Sequence, residues 1–322
     1  MTQDTPHEDT PTPVLDELFS TDTSGETELS DSDKVYLRFR NTVDPGLMTA
    51  NFDLAPGKSA AFRSRMTGDR FVDQPLRSHI LNGSAFAGRL NHALRKLGSS
   101  AAKTDEELMQ ILAMFACHDL HKTEAAQRRR AHGDPGTDAD KDIPDKELQY
   151  YIEKLRLDTL ETPVEFRDYK ASALCTEERS GQHRSVGSLR FPAYKNWIRL
   201  LDAAAALSDP SEIENLSRRL TQLDESISLA YHSLTDTKGV STNLLNAAVA
   251  DYIRSETDAV PVVYFQNGVV YLTPSDSDIH GDLLTIGKEE LIGELANQYV
   301  SQLHEEVDSF ANLEQVKNAL AN

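Results

Sequence analysis

The chain of 322 residues carries 52 acidic and 33 basic residues, which gives a formal net charge of −19 at pH 7. This length is enough for two domains with a sizeable core. The charge argues against a dedicated non-specific DNA-binding protein, because lysine and arginine attract DNA phosphates, but not against one that a complex recruits to DNA. The acidic excess is global. We therefore expect a halophilic source rather than an acidic protein with basic partners.

The two cysteines, Cys117 and Cys175, are too few for a disulfide framework or a four-thiolate zinc site. Both are predicted to be small core residues. No apolar run reaches the roughly 18 residues that span a bilayer, and the N-terminus is acidic, unlike a basic signal peptide. These features predict an intracellular, cytoplasmic protein with no membrane partner.

The first 33 residues contain ten acidic side chains and no lysine or arginine, and proline, threonine and serine supply most of the others. Such a segment buries too little apolar surface to offset its ordering entropy, so residues 1–33 are predicted to be a disordered acidic tail. The pattern then becomes helical. The segment from Pro75 to Leu97 carries an apolar stripe at helical spacing. Thr104 and Glu107 form a capping signature for a helix that is predicted to end near His118.

The rest of the chain is predicted to contain further helices and one hairpin. After a loop over 128–145, helices are expected over residues 146–160, 194–207, 211–234, 287–305 and 311–321. Two β-branched and aromatic runs flank Asn267-Gly268, which is the strongest short signal for a hairpin. The fold class is therefore mainly α. A helical domain over 34–210 is followed, over 211–322, by a helical linker and the start of a small α/β region.

A histidine–aspartate pair stands where the helix after Thr104 is expected to end. His118 and Asp119 can both reach one ion only if the helix bends or stops there, and the polar residues after Leu120 indicate that it stops. His79 lies on the preceding helix, which must cross the next one to bring the three side chains together. Neutral imidazoles and carboxylates are the ligands that a transition-metal hydrolase needs, with positions left open for water and phosphate.

Asp202 is the best candidate for a fourth ligand. It lies in an apolar helical segment, where a lone carboxylate is costly to bury unless it is paired or binds a metal. Taken singly, a helical histidine such as His79 is usually a hydrogen-bonded core residue, and a His-Asp dipeptide is equally unspecific. Together and in this order, His79, His118, Asp119 and Asp202 predict a metal site.

Two further histidines, His183 and His121, are weaker candidates for metal ligands. His183, on a predicted loop before the helix of Asp202, can bind a second metal or a phosphate, or have neither role. His121 lies one turn from His118, but another ligand from so short a segment is not expected.

Lys122 and an arginine run are the candidate phosphate contacts. Lys122 is either a solvated lysine at a helix end or, beside a metal, a catalytic residue that steers or neutralises the phosphate, and we favour the second role. Arg128, Arg129 and Arg130 form either a solvated face or a contact with the nucleic-acid backbone. In so acidic a protein they are the best local candidates for backbone contact.

The residues around His79 and His118-Asp119 are the hallmark of the HD superfamily. The wider sequence resembles one branch of it, the large HD-containing subunit of type I-D CRISPR effector complexes. The resemblance rests on four segments, FVDQPLRSHILN (71–82), CHDLHK (117–122), TKGVSTNLLN (237–246) and VVYFQNGVVYL (262–272). The last two resemble the family's passage into a degenerate polymerase-like region. Many HD proteins carry glycine where His121 stands.

The resemblance implies an HD-type nuclease domain over 34–210, followed over 211–322 by part of a palm-like region. The chain then corresponds to the N-terminal portion of a longer subunit, as a split gene product or a fragment. Its implied cofactor is a divalent metal, with Mn, Ni, Co, Fe and Mg as candidates, and its implied partners are other CRISPR effector subunits, target DNA and, indirectly, guide RNA. We expect a metal-dependent DNase of antiviral interference. The alternatives are a nucleotide phosphohydrolase of the same superfamily and a non-catalytic scaffold subunit.

Overall fold

The computed structural model describes residues 29–58, 74–132, 143–162, 164–174, 189–207, 212–233, 249–250, 253–254, 257–265 and 268–277. Several sequence predictions lie outside these ranges, namely most of the acidic tail, Cys175, His183, the segment 237–246 and the helices over 287–305 and 311–321. The side chains of Arg129 and Arg130 also lie outside the description.

The described chain is mainly helical and includes a three-stranded antiparallel sheet. Its α-helices are α1 (Asp31–Thr49), α2 (Leu76–Lys96), α3 (Asp105–Cys117), α4 (Glu124–His132), α5 (Asp145–Lys154), α6 (Phe166–Leu174), α7 (Phe191–Ala205) and α8 (Ile213–Thr221). Two short 3-10 turns cover Leu120–Lys122 and Leu157–Thr159. Strands β1 (Pro56–Lys58) and β2 (Gln74–Pro75) form an antiparallel ladder. Strands β3 (Ile227–Ser233), β4 (Val260–Phe265) and β5 (Gly268–Pro274) form the sheet in the order β3-β5-β4.

Local capping explains where the helices that carry the site begin. The Thr104 hydroxyl accepts a hydrogen bond from the Glu107 backbone N–H, and the Glu107 carboxylate accepts one from the Thr104 N–H, so the predicted capping box of α3 is confirmed. At α7 the cap comes from another helix. Oδ1 of the buried Asp168 accepts backbone N–H bonds from Leu189, Arg190 and Phe191 at 3.1, 2.8 and 3.0 Å.

Three predicted boundaries differ from the structure. Helix α1 begins at Asp31, inside the segment predicted to be a tail, because the Ser30 side chain caps it by accepting the Asp33 N–H. Helix α4 continues to His132, into the predicted loop over 128–145. The helix predicted over 146–160 ends at Lys154, and Arg156 takes a left-handed conformation with φ of 58° before the following 3-10 turn.

The prediction of a single long helix over residues 211–234 is wrong. Helix α8 ends at Thr221, and Ile227–Ser233 is the edge strand β3. The Asp224 side chain accepts hydrogen bonds from both the N–H and the hydroxyl of Ser226, which forms a turn that competes with the helix. Beyond that turn, β3 pairs with β5 along its whole length. Pairing between strands that are distant in sequence therefore outweighs the helical periodicity.

The predicted hairpin is present, and its sheet belongs to the same core as the helices. Strands β4 and β5 pair antiparallel from Val260↔Leu272 to Phe265↔Gly268. Strand β4 contacts α2, and β3 contacts α8. Sheet residues such as Val262 and Leu272 belong to one hydrophobic cluster with residues of α1, α2, α3 and α7. The core thus continues across residue 210, where the sequence suggested a domain boundary.

Helix α2 is the central element of the fold, with contacts to α1, α3, α7 and β4. Gly83 allows a close contact of α2 with both α3 and α7. A Cβ atom at Gly83 would lie 2.4 Å from Cζ of Phe115 on α3 and 3.1 Å from Cβ of Ala205 on α7. Residues four apart share a helix face, so this close approach lies one turn from His79. It brings the ends of α3 and α7 to the His79 face of α2.

Within the described part of the chain, no helix combines the length and the apolar character needed to cross a membrane.

The acidic composition predicts a strong response of stability to salt. We expect the melting temperature to rise steeply between 0.01 M and 1 M KCl, because the Debye length falls from about 30 Å to about 3 Å. Repulsion among the carboxylates of a chain with a net charge of −19 weakens accordingly. Thermal unfolding followed by circular dichroism tests this, with a sucrose series at constant low salt as the control. A flat response to KCl would contradict the halophilic interpretation.

Candidate metal centre

Four predicted ligands from three helical segments meet at one point. His79 lies on α2, His118 and Asp119 directly follow α3, and Asp202 lies in the last turn of α7. One ligand atom from each residue can be chosen so that all four atoms lie within 4.8 Å of one another. Such a group can hold a metal ion. The crossing of α2 and α3 required by the sequence argument is present.

The distances within this cluster match those between ligands of a single ion. Ligand atoms bonded to one metal at about 2.1 Å lie about 3.0 Å apart at right angles and about 3.4 Å apart in a tetrahedron. Nε2 of His79 lies 3.1 Å from Oδ1 of Asp202 and 3.3 Å from Nε2 of His118. Oδ2 of Asp119 lies 3.2 Å from Nε2 of His118 and 3.5 Å from Nε2 of His79. Nε2 of His118 and Oδ1 of Asp202 are 3.7 Å apart.

The end of α3 is what allows two consecutive residues to reach the same point. In a continuous helix, neighbouring side chains point about 100° apart. Helix α3 ends at Cys117, and Asp119 leaves the helical conformation with φ of −115° and ψ of 16°. The Asp119 carboxylate therefore turns towards the His118 ring. The predicted helix end before Leu120 is confirmed, and Cys117 is buried as predicted.

Hydrogen bonds determine the tautomer of both histidines. Nδ1 of His118 lies 2.5 Å from the Phe115 carbonyl oxygen, and Nδ1 of His79 lies 3.2 Å from Oε1 of Gln74. Both partners are acceptors, so each Nδ1 carries a hydrogen, and in the neutral form of each ring Nε2 presents its lone pair to the cluster. With both rings neutral, the two Nε2 acceptors lie 3.3 Å apart beside two carboxylates, and these four groups repel one another. A positive charge among them, either a proton on Nε2 of His118 or a metal ion, relieves that repulsion.

Burial is uneven around the cluster. The His79 side chain is fully buried, and those of His118 and Asp119 are each 4% exposed, whereas the Asp202 side chain is 35% exposed. Among the described residues, Asp202 is therefore the member of the cluster that contacts solvent.

The charges in the cluster are strongly coupled. Burial lowers the pKa of His79 despite the neighbouring Asp202 and Asp119 carboxylates. Burial also disfavours the charged form of His118, but the same two carboxylates outweigh it and raise the pKa of His118 to about 9. Burial disfavours the Asp119 carboxylate too, yet His118, Lys122 and His79 hold its pKa well below the usual value. The two carboxylates thus attract positive charge, which a bound divalent ion can supply in place of a proton.

Lys122 lies at the edge of the cluster. Its ammonium group contacts Oδ2 of Asp119 and donates a hydrogen bond of 2.7 Å to the Gly57 carbonyl oxygen on β1. His121 is farther away, with Nδ1 3.9 Å from the other Asp119 oxygen, and it is not among the four clustered ligands. The structure therefore places Lys122, and not His121, against the metal-facing oxygen of Asp119.

Arg128 lies on α4, the helix that contacts the 3-10 turn after Asp119. Its side chain is 74% exposed and forms an ion pair with Glu124 on the same helix at 2.5 Å. An exposed pair of this kind contributes little to stability. Arg128 is thus placed on the surface next to the segment that carries the candidate ligands.

Two residues in contact with the ligands, Gln74 and Gly57, are not among the site residues predicted from the sequence. A Cβ atom at Gly57 would lie 2.7 Å from Cβ of His79 and 2.9 Å from the Pro75 carbonyl oxygen, so only glycine fits there without displacement. Pro56-Gly57 marks a turn in the sequence. Its contact with His79 arises from the pairing of β1 with β2, across residues 59–73, and no local signal predicts that pairing.

Comparisons with known proteins do not extend this description, because no protein-family model matches the chain and no curated protein matches it either.

Proposed function

We propose that this protein is a metal-dependent phosphodiesterase that cleaves DNA. One observation carries the proposal. Two histidines, with their Nε2 atoms directed at one point, meet two carboxylates there at the spacing of ligands on a single ion. The buried Asp119 carboxylate and the partly exposed Asp202 carboxylate require a positive charge beside them, which a proton on His118 or a divalent ion can supply.

The mixed donor set suits particular metals. Imidazole nitrogen and carboxylate oxygen together are typical ligands of Mn, Fe, Co and Ni, and Mg prefers oxygen ligands. A bound divalent ion supplies Lewis-acid polarisation of a phosphoryl oxygen and an acidified water molecule. His79, His118, Asp119 and Asp202 are the residues that would hold the ion.

The surrounding residues would orient the substrate. A phosphodiester would approach from the solvent-exposed side of Asp202, and the Lys122 ammonium at Asp119 would neutralise charge on the phosphate. We propose that the arginines of α4 contact the nucleic-acid backbone, namely Arg128, Arg129 and Arg130. We also propose that His183 binds a second metal ion or a phosphate.

We further propose that this activity belongs to a type I-D CRISPR effector complex, which acts on DNA that a guide RNA has opened. The four sequence segments that resemble the large HD-containing subunit support this assignment. The net charge of −19 is consistent with it, because a complex can recruit an acidic chain to DNA. A gene neighbourhood that contains CRISPR repeat arrays would be the simplest genetic support.

A reconstitution experiment tests the proposed activity. The full chain is treated with a chelator and then given Mn²⁺, Ni²⁺, Co²⁺, Fe²⁺ or Mg²⁺, with end-labelled single-stranded DNA, duplex DNA or deoxynucleoside triphosphates as substrates. We expect cleavage of single-stranded DNA in the presence of at least one of these ions and none in the chelator-treated protein. Molar KCl is included in one series, because screening supports folding of an acidic chain.

Two results would overturn the DNase proposal. Hydrolysis of nucleotides without cleavage of DNA identifies a nucleotide phosphohydrolase. Metal binding without hydrolysis of any of these substrates, alone or with the other effector subunits added, identifies a scaffold in which the centre is structural.

A further inference from the structure

We propose that Gln74 is a positioning residue that determines the tautomer and the orientation of His79 and ties this ligand to the helix of Asp202. The inference rests on the metal centre proposed above, but it concerns contacts between protein groups that exist before any ion binds. It assigns a function to the β1–β2 ladder, which the proposed activity leaves unexplained.

The Gln74 side chain connects two of the segments that supply ligands. Its Oε1 lies 3.2 Å from Nδ1 of His79, and its Nε2 donates a hydrogen bond of 2.8 Å to the carbonyl oxygen of Ala205. Ala205 is the last residue of α7 and lies three residues after Asp202. Carbonyl groups in the last turn of a helix have no partner within that helix, so this one is available for a side-chain donor. One amide group therefore joins the His79 ring to the helix end that carries Asp202.

The chemistry of these two contacts requires an amide. The atom that faces the Ala205 carbonyl must be a donor, which makes it the NH₂ group and leaves Oε1 towards His79. Because Oε1 can only accept, this contact forms when Nδ1 of His79 carries the hydrogen, and the Nε2 lone pair of the neutral ring then faces the cluster, where Oδ1 of Asp202 lies 3.1 Å away. A carboxylate could accept from His79 but would repel the Ala205 carbonyl. An aliphatic side chain could do neither.

The backbone of Gln74 is itself held in place from two sides. It pairs with β1, and the next residue but one, Leu76, donates its N–H to the Ala55 carbonyl at 2.7 Å. On β1, Gly57 lies against the His79 side chain and accepts the hydrogen bond from Lys122, which in turn contacts Asp119. The ladder of β1 and β2 thus contacts His79 directly. It is connected to Asp119 by Lys122 and to the helix of Asp202 by the Gln74 side chain. This arrangement is suited to holding ligands from three segments at fixed spacing.

The test uses the full-length protein with Gln74→Leu and Gln74→Glu. Gln110→Leu is the matched control, because Gln110 is also a buried amide, bonded to Glu106 and Tyr194, and lies away from the four ligands. The first measurement is ¹⁵N NMR of histidine-labelled, metal-free protein, with the His79 signals identified by their loss in His79→Asn. The second is a titration with Co²⁺ followed by its visible absorption.

We expect wild type and Gln110→Leu to show His79 as the Nδ1–H tautomer, and Gln74→Leu to show a mixture of tautomers. Loss of a residue that orients a ligand typically costs about 10–100-fold in metal affinity, and we expect that loss for Gln74→Leu. Gln74→Glu keeps the acceptor, so it should retain the Nδ1–H tautomer and recover part of the affinity. Rescue of the tautomer by glutamate would not follow from a general packing role.

An unchanged tautomer and an unchanged Co²⁺ affinity in Gln74→Leu would overturn the inference. If Gln74→Leu does not fold, Gln74→Glu decides, since loss of the Nδ1–H tautomer in that variant contradicts the proposed contact. If wild type binds no Co²⁺ or other divalent ion, the metal-centre proposal fails, and the tautomer in metal-free protein still reports separately on Gln74.

Discussion

Replacing Asp119 by alanine or asparagine is expected to abolish metal-dependent cleavage with little change in helix content. Oδ2 of Asp119 lies within 3.5 Å of both ligand nitrogens and in contact with Lys122, so the substitution removes a ligand and the charge that attracts the ion. Loss of a residue that only supports a ligand typically lowers metal affinity or activity about 10–100-fold. Loss of the ligand itself should therefore lower both by more than about 100-fold. His118→Ala should behave in the same way, because Nε2 of His118 is lost.

Asp44→Asn is the matched control for Asp119. Asp44 is a partly buried carboxylate, 18% exposed, that forms a bidentate ion pair with Arg77 away from the four ligands. Its removal should lower the melting temperature and leave metal affinity unchanged. Cleavage assays, Co²⁺ titration and far-ultraviolet circular dichroism on the purified variants decide the outcome. Full DNase activity in Asp119→Ala would eliminate the proposed mechanism.

Asp202→Asn is expected to reduce metal affinity and cleavage by at least about 100-fold, since it replaces a direct carboxylate ligand by a neutral amide of the same shape. Oδ1 of Asp202 lies 3.1 Å from Nε2 of His79. The side chain is 35% exposed, so the fold should tolerate the change with a shift in melting temperature of no more than about 3 °C. Affinity is measured by Co²⁺ titration and stability by thermal unfolding.

Asp105→Asn provides the comparison for Asp202. Asp105 is 46% exposed and pairs with Arg95 at 2.7 Å at the opposite end of α3 from His118. The two substitutions remove the same charge from similarly exposed positions. If both variants bind metal as tightly as wild type, Asp202 is not a ligand, and the centre consists of His79, His118 and Asp119 alone.

The elements that the sequence predicted well are those whose signals are local. The capping box of Thr104 and Glu107 and an apolar stripe placed α3, and the run of polar residues after Leu120 indicated its end. The turn around Asn267-Gly268 placed the hairpin of β4 and β5. Each of these signals acts over a few residues, so its effect survives in the folded chain.

The segment from 211 to 234 shows where local signals were insufficient. Its apolar residues fit a helix, but the bonds of Asp224 to Ser226 stop α8, and β5 offers a complete set of partners to β3. Register with a strand some forty residues later in the chain cannot be derived from the spacing of apolar residues in one segment. The pairing of β1 with β2 likewise joins segments separated by residues 59–73, so the spacing of residues within either segment does not predict it.

The sequence by itself determined which residues can serve as ligands. Histidine and aspartate side chains at positions 79, 118, 119 and 202 stand in helical segments whose apolar faces must pack together, and the end of α3 lets His118 and Asp119 point the same way. Only the tertiary structure decided how those ligands are oriented. Gln74 accepts the hydrogen of Nδ1 and so favours one tautomer of His79, and Gly57 leaves space beside the His79 side chain. The Gln74 amide also donates a hydrogen bond to the Ala205 carbonyl, which connects it to the helix of Asp202. These are contacts between segments far apart in the chain. Hydrogen-bond direction and steric fit appear only once packing has set the distances.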